Sequence, residues 1–303
     1  MELLREGDPR LLEGRGRGPG HLDVGEAVAA LRAHGFVLLR GFARGASDFE
    51  AITRRFSRRF LVHGNVNRAF VSEDGSTQAV DAGLHPLPLH SEMSYGPFYP
   101  DSMWFFCAVP PRTGGETTVC DGVALFDALA AASREYFRAH RLRYRHRYPP
   151  KAWQQGLKTT TRGLAALKLT IGARLYRKRG DYRFHFDREE HLCVDYVTSA
   201  LVPLRDGRHA FANSLEISYL PQVISLRGGS VTLEDGAPVS EAVLTDVARA
   251  ADEAGLRIGW QAGDIVMIDN ARTMHGRVAL EPDDRKILVR LGSRKRSYRT
   301  ALH

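Results

Sequence analysis

The chain of 303 residues contains only three cysteines, Cys107, Cys120 and Cys193, and no CxxC pair. That excludes a disulfide-stapled scaffold and the paired-thiolate zinc motifs, and an odd thiol count fits a reducing compartment. No uninterrupted apolar stretch reaches the roughly 20 residues that a membrane-spanning helix needs. The opening MELLREGDPRLLEGRGRGPG lacks the apolar run and small-residue cleavage site of a secretory signal. There is no internal repeat, and no low-complexity tract beyond that Gly-, Arg- and Pro-rich start. The expectation is a soluble, cytoplasmic protein with no membrane partner.

What is present is globular in balance, 43% hydrophobic and 26% charged. Acidic charge is in deficit: 43 Lys and Arg stand against 35 Asp and Glu, a net charge of +8. The excess gathers in three runs, Arg138–Lys151, Arg174–Arg188 and Arg290–Arg299. Such runs suit an anionic substrate or an acidic partner, or are simply a solvated Arg-rich surface. No RNP motif, zinc-finger spacing or heptad-linked basic region accompanies them, so no nucleic-acid partner is expected.

Periodicity divides the chain into helical and extended stretches. Residues 1–20 read as a loose N-terminal arm. Asp23 with Glu26 forms a capping box ahead of Val24, Val28 and Leu31, and Gly35 stops that helix. FVLLRGF, Phe36–Phe42, reads as a buried strand. Ser47 with Glu50 suggests a second capping box, with Phe49, Ile52, Phe56 and Phe60 on one face. From about Arg68 to Asp121 short strands alternate with Pro and Gly signals. Residues 123–187 read as a mostly helical, basic insertion or lid. Strand texture returns at Val194–Leu204 and His209–Ser218, followed by an amphipathic helix over Ser240–Gly255 and strands at Asp264–Ile268 and Lys286–Leu291. Strands split by a helical insertion imply one domain over 1–303, mainly β with α, a closed or double-layered fold with flanking helices.

The chemistry concentrates in LPLHSEMSY, Leu87–Tyr95. His90 and Glu92 are two apart, so on a strand they share one face and offer an imidazole and a carboxylate to one divalent metal. A third ligand from far along the chain would complete a facial triad with three positions open for cosubstrate and O2. An H-x-E triplet alone is weak evidence, and a lone loop histidine more often bonds backbone. In WQAGDIVMIDNARTMHGR, however, His275 is followed ten residues later by Arg285, opening RKILVRL. An arginine there can clamp a carboxylate bidentately. A distal histidine followed by an arginine on the next strand is the requirement of a 2-oxoglutarate site.

At these residues the sequence resembles the taurine dioxygenase-like (TauD/TfdA) Fe(II)/2-oxoglutarate oxygenases. Matching blocks run in order: HGFVLLRGF, LPLHSEMSY, PPRTGGETTVCDG, W-x-x-GDIVMIDN-x-x-x-x-HGR and DRKILV. H-x-E-M-S-Y with GGET is similar to the SyrP-like branch of specialised-metabolite hydroxylases. The resemblance implies a double-stranded β-helix (jelly-roll, cupin-like) core with Fe(II) on His90, Glu92 and His275. It implies 2-oxoglutarate and O2 as cosubstrates, with Thr117 or Thr118 donating to one carboxylate and Arg285 clamping the other. Arg290 is a second candidate arginine, although strand alternation sets it opposite Arg285. Asn65, Asn67 and Asn213 are candidate substrate contacts, and His63 and His85 either line the pocket or lie on loops. Asp264, Asp269 and Asn270 are expected to hold the turn that orients His275.

The carboxylate at position 92 points away from the related halogenases, in which a small residue makes room for chloride. The expected reaction is hydroxylation of an unactivated C–H in an amino-acid-like or carrier-tethered intermediate, antibiotic biosynthesis being one setting. Desaturation or ring closure branches from the same chemistry. A Zn-dependent hydrolase would also use two histidines and a carboxylate, but H-E-x-x-H is missing and Arg285 would have no task. A metal-free jelly-roll binding protein would have no use for all three ligands.

Overall fold

The computed structural model describes residues 1–62, 68–80, 83–176, 180–221, 229–281, 285–294 and 298. FVLLR (β3, Phe36–Arg40), SMWFFCAV (β7, Ser102–Val109), IVMID (β16, Ile265–Asp269) and KILVRLGSR (β18, Lys286–Arg294) are rich in apolar residues on both faces. Strands of that composition are stable only when covered on both sides. They form the middle of a sheet ordered β2-β3-β16-β7-β18-β4, with β2 Leu11–Glu13, β4 Ser57–Leu61, and β5 (Thr77–Ala79) also paired to β18.

The outer face of this sheet packs Leu39, Trp104, Phe106, Met267 and Leu288 against the helices α1 (Val24–His34) and α2 (Ala46–Phe56). Its inner face presents Phe105, Cys107, Val266, Ile287 and Val289 to a second sheet. That sheet has the order β1-β15-β8-β17-β6: Glu2–Leu3, Leu256–Ile258, Thr117–Asp121, Thr273–Arg277 and Leu87–His90. The pair is a double-stranded β-helix core, with His90 on β6 and His275 on β17 of the second sheet. A third sheet, β10-β11-β9-β14, flanks it: Asp181–Phe186, Leu192–Ser199, Arg141–Tyr148 and Ser230–Leu233. A hairpin of β12 (Leu201–Pro203) and β13 (His209–Phe211) lies beside α3 (Gly122–Ala128).

Local signals explain α1 well. The Asp23 carboxylate accepts from the Gly25 and Glu26 amides, and Gly35, at φ 79°, closes the helix with its N–H on Leu31 O. Three expectations need correction. Residues 1–20 are not a loose arm, because β1 pairs in parallel with β15 and β2 with β3. α2 starts at an N-cap Gly45 with no side-chain cap; Glu50 instead accepts from Thr77 Oγ1 at 2.8 Å and pairs with Arg54. The 123–187 stretch contains α4 (Ala131–Ala139), α5 (Pro150–Leu157) and α6 (Arg162–Tyr176), but also β9 and β10. In β9, RLRYRHRY buries Leu142, Tyr144 and His146 and turns its arginines outward. There they meet carboxylates: Arg141 pairs with Asp181 and Glu234, Arg143 with Asp195, and Arg147 with Asp187 and Glu189.

Candidate metal centre

β17 lies between β8 and β6, and its register sets His275 directly beside His90. Gly276 permits this approach, since a Cβ there would stand 2.4 Å from Leu87 O. The imidazole rings are 4.3 Å apart, centre to centre. Glu92 follows β6 in a tight turn. Its amide donates to Asn270 Oδ1 at 2.7 Å, and Asn270 Nδ2 donates to the carbonyls of Glu92 and Pro100, both at 3.0 Å. Met93 then adopts φ 60°, a left-handed conformation rare outside glycine, asparagine and aspartate. Ser214 Oγ reinforces the turn by donating to Ser91 O at 2.9 Å.

The result is one focus of ligand atoms. Glu92 Oε2 is 3.7 Å from His90 Nε2 and 3.5 Å from His275 Nε2. All three ligand atoms lie within 4.8 Å of one another, and all three residues are buried. Neighbouring ligands of a single ion with bonds of about 2.1 Å sit about 3 Å apart, so a small inward movement seats a metal. The donor chemistry fits as well. His90 Nδ1 donates to Pro88 O at 2.9 Å, leaving the Nε2 lone pair toward Glu92. Burial, with His90 beside it, lowers the His275 pKa to about 4, so its ring is a neutral ligand at physiological pH. His275 packs 5.4 Å from the Phe105 ring, an apolar wall on that side.

Next to this focus, Thr117 shares the inner face of β8 with Val119, and its Oγ1 accepts from Trp260 Nε1 at 3.2 Å. Thr118 faces the other way, toward Gly276. Arg285 precedes β18 on the inner face, in register with Ile287 and Val289. Gly115, at φ 69°, lets it approach, since a Cβ there would lie 3.4 Å from Arg285 Cδ and 2.7 Å from Leu280 Cδ1. Cys107, two positions along β7 from Phe105, feels the Arg285 charge, but burial and Asp264 push its thiol up to about 12.

Several sequence candidates lie elsewhere. Arg290 is on the outer face of β18, where it donates to Thr53 Oγ1 and Ser76 Oγ, both at 2.8 Å. Its guanidinium carbon stands 3.7 Å from the Phe60 ring centre, and burial lowers its pKa to about 10. Strand alternation therefore sets it on the face away from the ligand focus. The Asn213 side chain is committed to backbone, donating to Ala200 O and accepting from Leu215 N. His85 is exposed. Asn65, Asn67 and His63 lie outside the described residues. Asp264 pairs with Arg40 instead of reaching toward His275, and Asn270 orients Glu92.

Three arginines escaped sequence reasoning. Arg272, 1% exposed, clamps Asp121 and the carbonyls of Arg32 and Ala33 at the base of β17. Arg277, the last residue of the HGR triplet, is buried and donates to His85 O at 2.8 Å. Arg68 donates to Glu92 Oε1 at 3.1 Å. Only the HGR triplet gave a local signal for any of them.

Comparison with known proteins agrees with this geometry. The family model "Taurine catabolism dioxygenase TauD, TfdA family" matches residues 15–291. The clavaminate synthase-like protein At3g21360 of Arabidopsis thaliana is 25% identical over 279 residues, 86% of this chain and 82% of that protein. Among solved structures, PvcB from Pseudomonas aeruginosa superposes with TM-score 0.60 at 17% identity, covering 100% of this chain and 97% of its own. A taurine dioxygenase from Burkholderia xenovorans gives TM-score 0.60 at 16% identity, over 97% and 91%.

Proposed function

The chain belongs to the TauD/TfdA family, the Fe(II)/2-oxoglutarate-dependent oxygenases, and on that footing we propose that it hydroxylates an unactivated C–H bond of an amino-acid-like or carrier-tethered intermediate of specialised metabolism. The carrying observation is the buried His90, Glu92 and His275 focus, with a carboxylate at 92 where a halogenase would keep a small residue. Fe(II) held there, with 2-oxoglutarate and O2, supplies the oxidising power to break a strong C–H bond.

The chain's own residues do the rest. His275 remains a neutral donor, and the His90 ring is oriented by its hydrogen bond to Pro88 O. Glu92 offers Oε2 inward while Asn270 holds its backbone. Thr117 and Arg285 share the inner face on which 2-oxoglutarate would lie, the guanidinium taking the far carboxylate. Phe105 and Val119 keep that face dry, which strengthens each charge contact made there.

The specialised-metabolism reading, antibiotic biosynthesis included, leans on the H-x-E-M-S-Y and GGET segments. A carrier-delivered substrate is favoured by α6, where Leu164, Leu167 and Ile171 are exposed beside Arg162, Lys168 and Arg174. The arginines of β9 offer less, being paired with carboxylates, and Arg177 and Arg179 lie outside the described residues. A cytoplasmic setting is supported by free thiols at all three cysteines. Among the described residues no helix is long and apolar enough to cross a membrane.

Anaerobic addition of Fe(II) and 2-oxoglutarate should develop a weak visible charge-transfer band. Under O2, succinate should form with a product carrying one added oxygen atom. Loss of two hydrogens instead would identify desaturation or ring closure. Absence of the band and of succinate would overturn the oxygenase reading.

A further inference from the structure

A buried hydrogen bond joins two blocks that are far apart in sequence, the W-x-x-GD turn and the GGETT segment. It runs from Trp260 Nε1 to Thr117 Oγ1, and both side chains are buried. An indole N–H can only donate, whereas a hydroxyl has one proton and two lone pairs. Thr117 Oγ1 is therefore the acceptor in this bond, and its own proton must point elsewhere. Among the described residues that proton has no acceptor, although the side chain emerges on the inner face of β8.

The indole is held in place from both sides. β15 pairs Ile258 with Thr117, and the chain turns immediately afterwards. On one side of Trp260, Arg40 donates to Gly259 O at 3.1 Å. The same guanidinium grips both Asp264 oxygens, at 3.0 and 2.8 Å. On the other side, Asp264 Oδ2 accepts from Gln261 N at 2.8 Å. Asp264 is fully buried, so this clamp is sheltered from competing water. The spacing of Trp260 and Asp264 thus has a physical reason: the acid fixes the turn that presents the ring.

We propose that Trp260 is a positioning residue for the cosubstrate: by occupying the acceptor side of the Thr117 hydroxyl, it makes that hydroxyl a fixed donor to a carboxylate oxygen of 2-oxoglutarate. This rests on the oxygenase reading of the same site and adds a residue that touches neither metal nor cosubstrate. Two effects follow from the bond. The hydroxyl need not be reoriented when the carboxylate arrives, which lowers the ordering cost of binding. The incoming N–H also polarises the O–H, strengthening its donation. Without the indole the proton is free to turn toward nearby backbone carbonyls, as threonine hydroxyls commonly do.

The test uses the full chain loaded with Zn(II), which is diamagnetic and cannot turn over, titrated calorimetrically with 2-oxoglutarate. Thr117→Val should weaken binding about 30-fold, as loss of a charge-assisted hydrogen bond does, and Thr117→Ser should keep most of the affinity. Trp260→Phe, which keeps an aromatic ring but removes the N–H, should weaken binding about 5-fold. In the double variant with Thr117→Val the loss should stay near 30-fold, not the roughly 150-fold that independent sites would give. Zn(II) affinity should be unchanged throughout. A second readout needs no Trp260 variant: the isotope-labelled indole N–H resonance of Trp260, assigned by elimination with Trp104→Phe and Trp153→Phe, should shift when 2-oxoglutarate is added. The resonance of Trp153, which donates to Glu190 O, should not. The proposal is overturned if Trp260→Phe leaves 2-oxoglutarate affinity intact, or if the two losses multiply. It is equally overturned if Thr117→Val has no effect, or if the Trp260 resonance ignores the cosubstrate. Wild-type protein that takes up Zn(II) but no 2-oxoglutarate would refute the oxygenase reading itself.

Discussion

The two faces of the seven-stranded sheet treat arginine in opposite ways. On the outer face Arg290 is a structural cation: two hydroxyls and an aromatic ring hold it, and α2 covers it. On the inner face Arg285 stands among apolar side chains beside a glycine-lined turn, and Arg68 reaches the carboxylate of the ligand focus. Arg285 and Arg290 are five residues apart, an odd step in a strand, and that parity separates a chemical role from a packing role. Proximity in sequence to a site motif is thus a poorer guide than the face on which a side chain emerges.

The strongest attack on this comparison is at the inner face itself. His90→Ala or His275→Ala should abolish both metal uptake, measured by elemental analysis, and succinate formation. Wild-type turnover in either variant would mean that the inner face is not the metal face. Next comes the arginine pair. Arg285→Ala should raise the KM for 2-oxoglutarate by about 30- to 150-fold, the equivalent of about 2–3 kcal/mol for a lost bidentate pair. Arg290→Ala should leave that KM alone and lower the unfolding free energy in urea by about 2 kcal/mol, because Thr53 and Ser76 lose their donor. The reverse pattern, with Arg290 governing KM, would erase the distinction between the faces.

Asn270→Ala should weaken Zn(II) or Fe(II) binding by about 10-fold in competition with a chelator, since the Glu92 turn loses its partner. The smallest effect is expected at the surface. Arg174→Glu should lower kcat/KM for a carrier-delivered substrate only a few-fold, and only at low salt, leaving uncoupled 2-oxoglutarate consumption unchanged. Salt-independent turnover would reduce this basic face to ordinary solvated surface.

Elements with their own punctuation were legible in the sequence. Asp23 and Gly35 bracket α1, and the helix Glu241–Ala254 buries Val247 and Ala251 at helical spacing. The apolar runs of β3, β7, β16 and β18 announce themselves. Elements that depend on a partner were not legible. The Gly- and Arg-rich start looks unstructured because nothing within it specifies a strand; β15 and β3 supply the pairing. In β9 the period-2 signal exists, but its outward positions are all arginine, and charge density masked the alternation.

The candidate site divides in the same way. The ligands His90, Glu92 and His275 could be proposed from local spacing together with a distant block, and the structure brings them into one focus. Arg68 is 22 positions before His90 with no motif around it, and only the path of the chain along β5 brings it to Glu92. Asn213 misled in the opposite sense: a polar residue in strand texture suggests a pocket, but its amide closes a turn of its own backbone.

Cys107 gives the interior a further property, a thiol that stays chemically quiet. With its thiol pushed up to about 12, Cys107 carries a proton throughout the physiological range. The same burial denies alkylating and oxidising reagents the anion they attack. The inner face can therefore hold a sulfur atom without the reactivity of its anion.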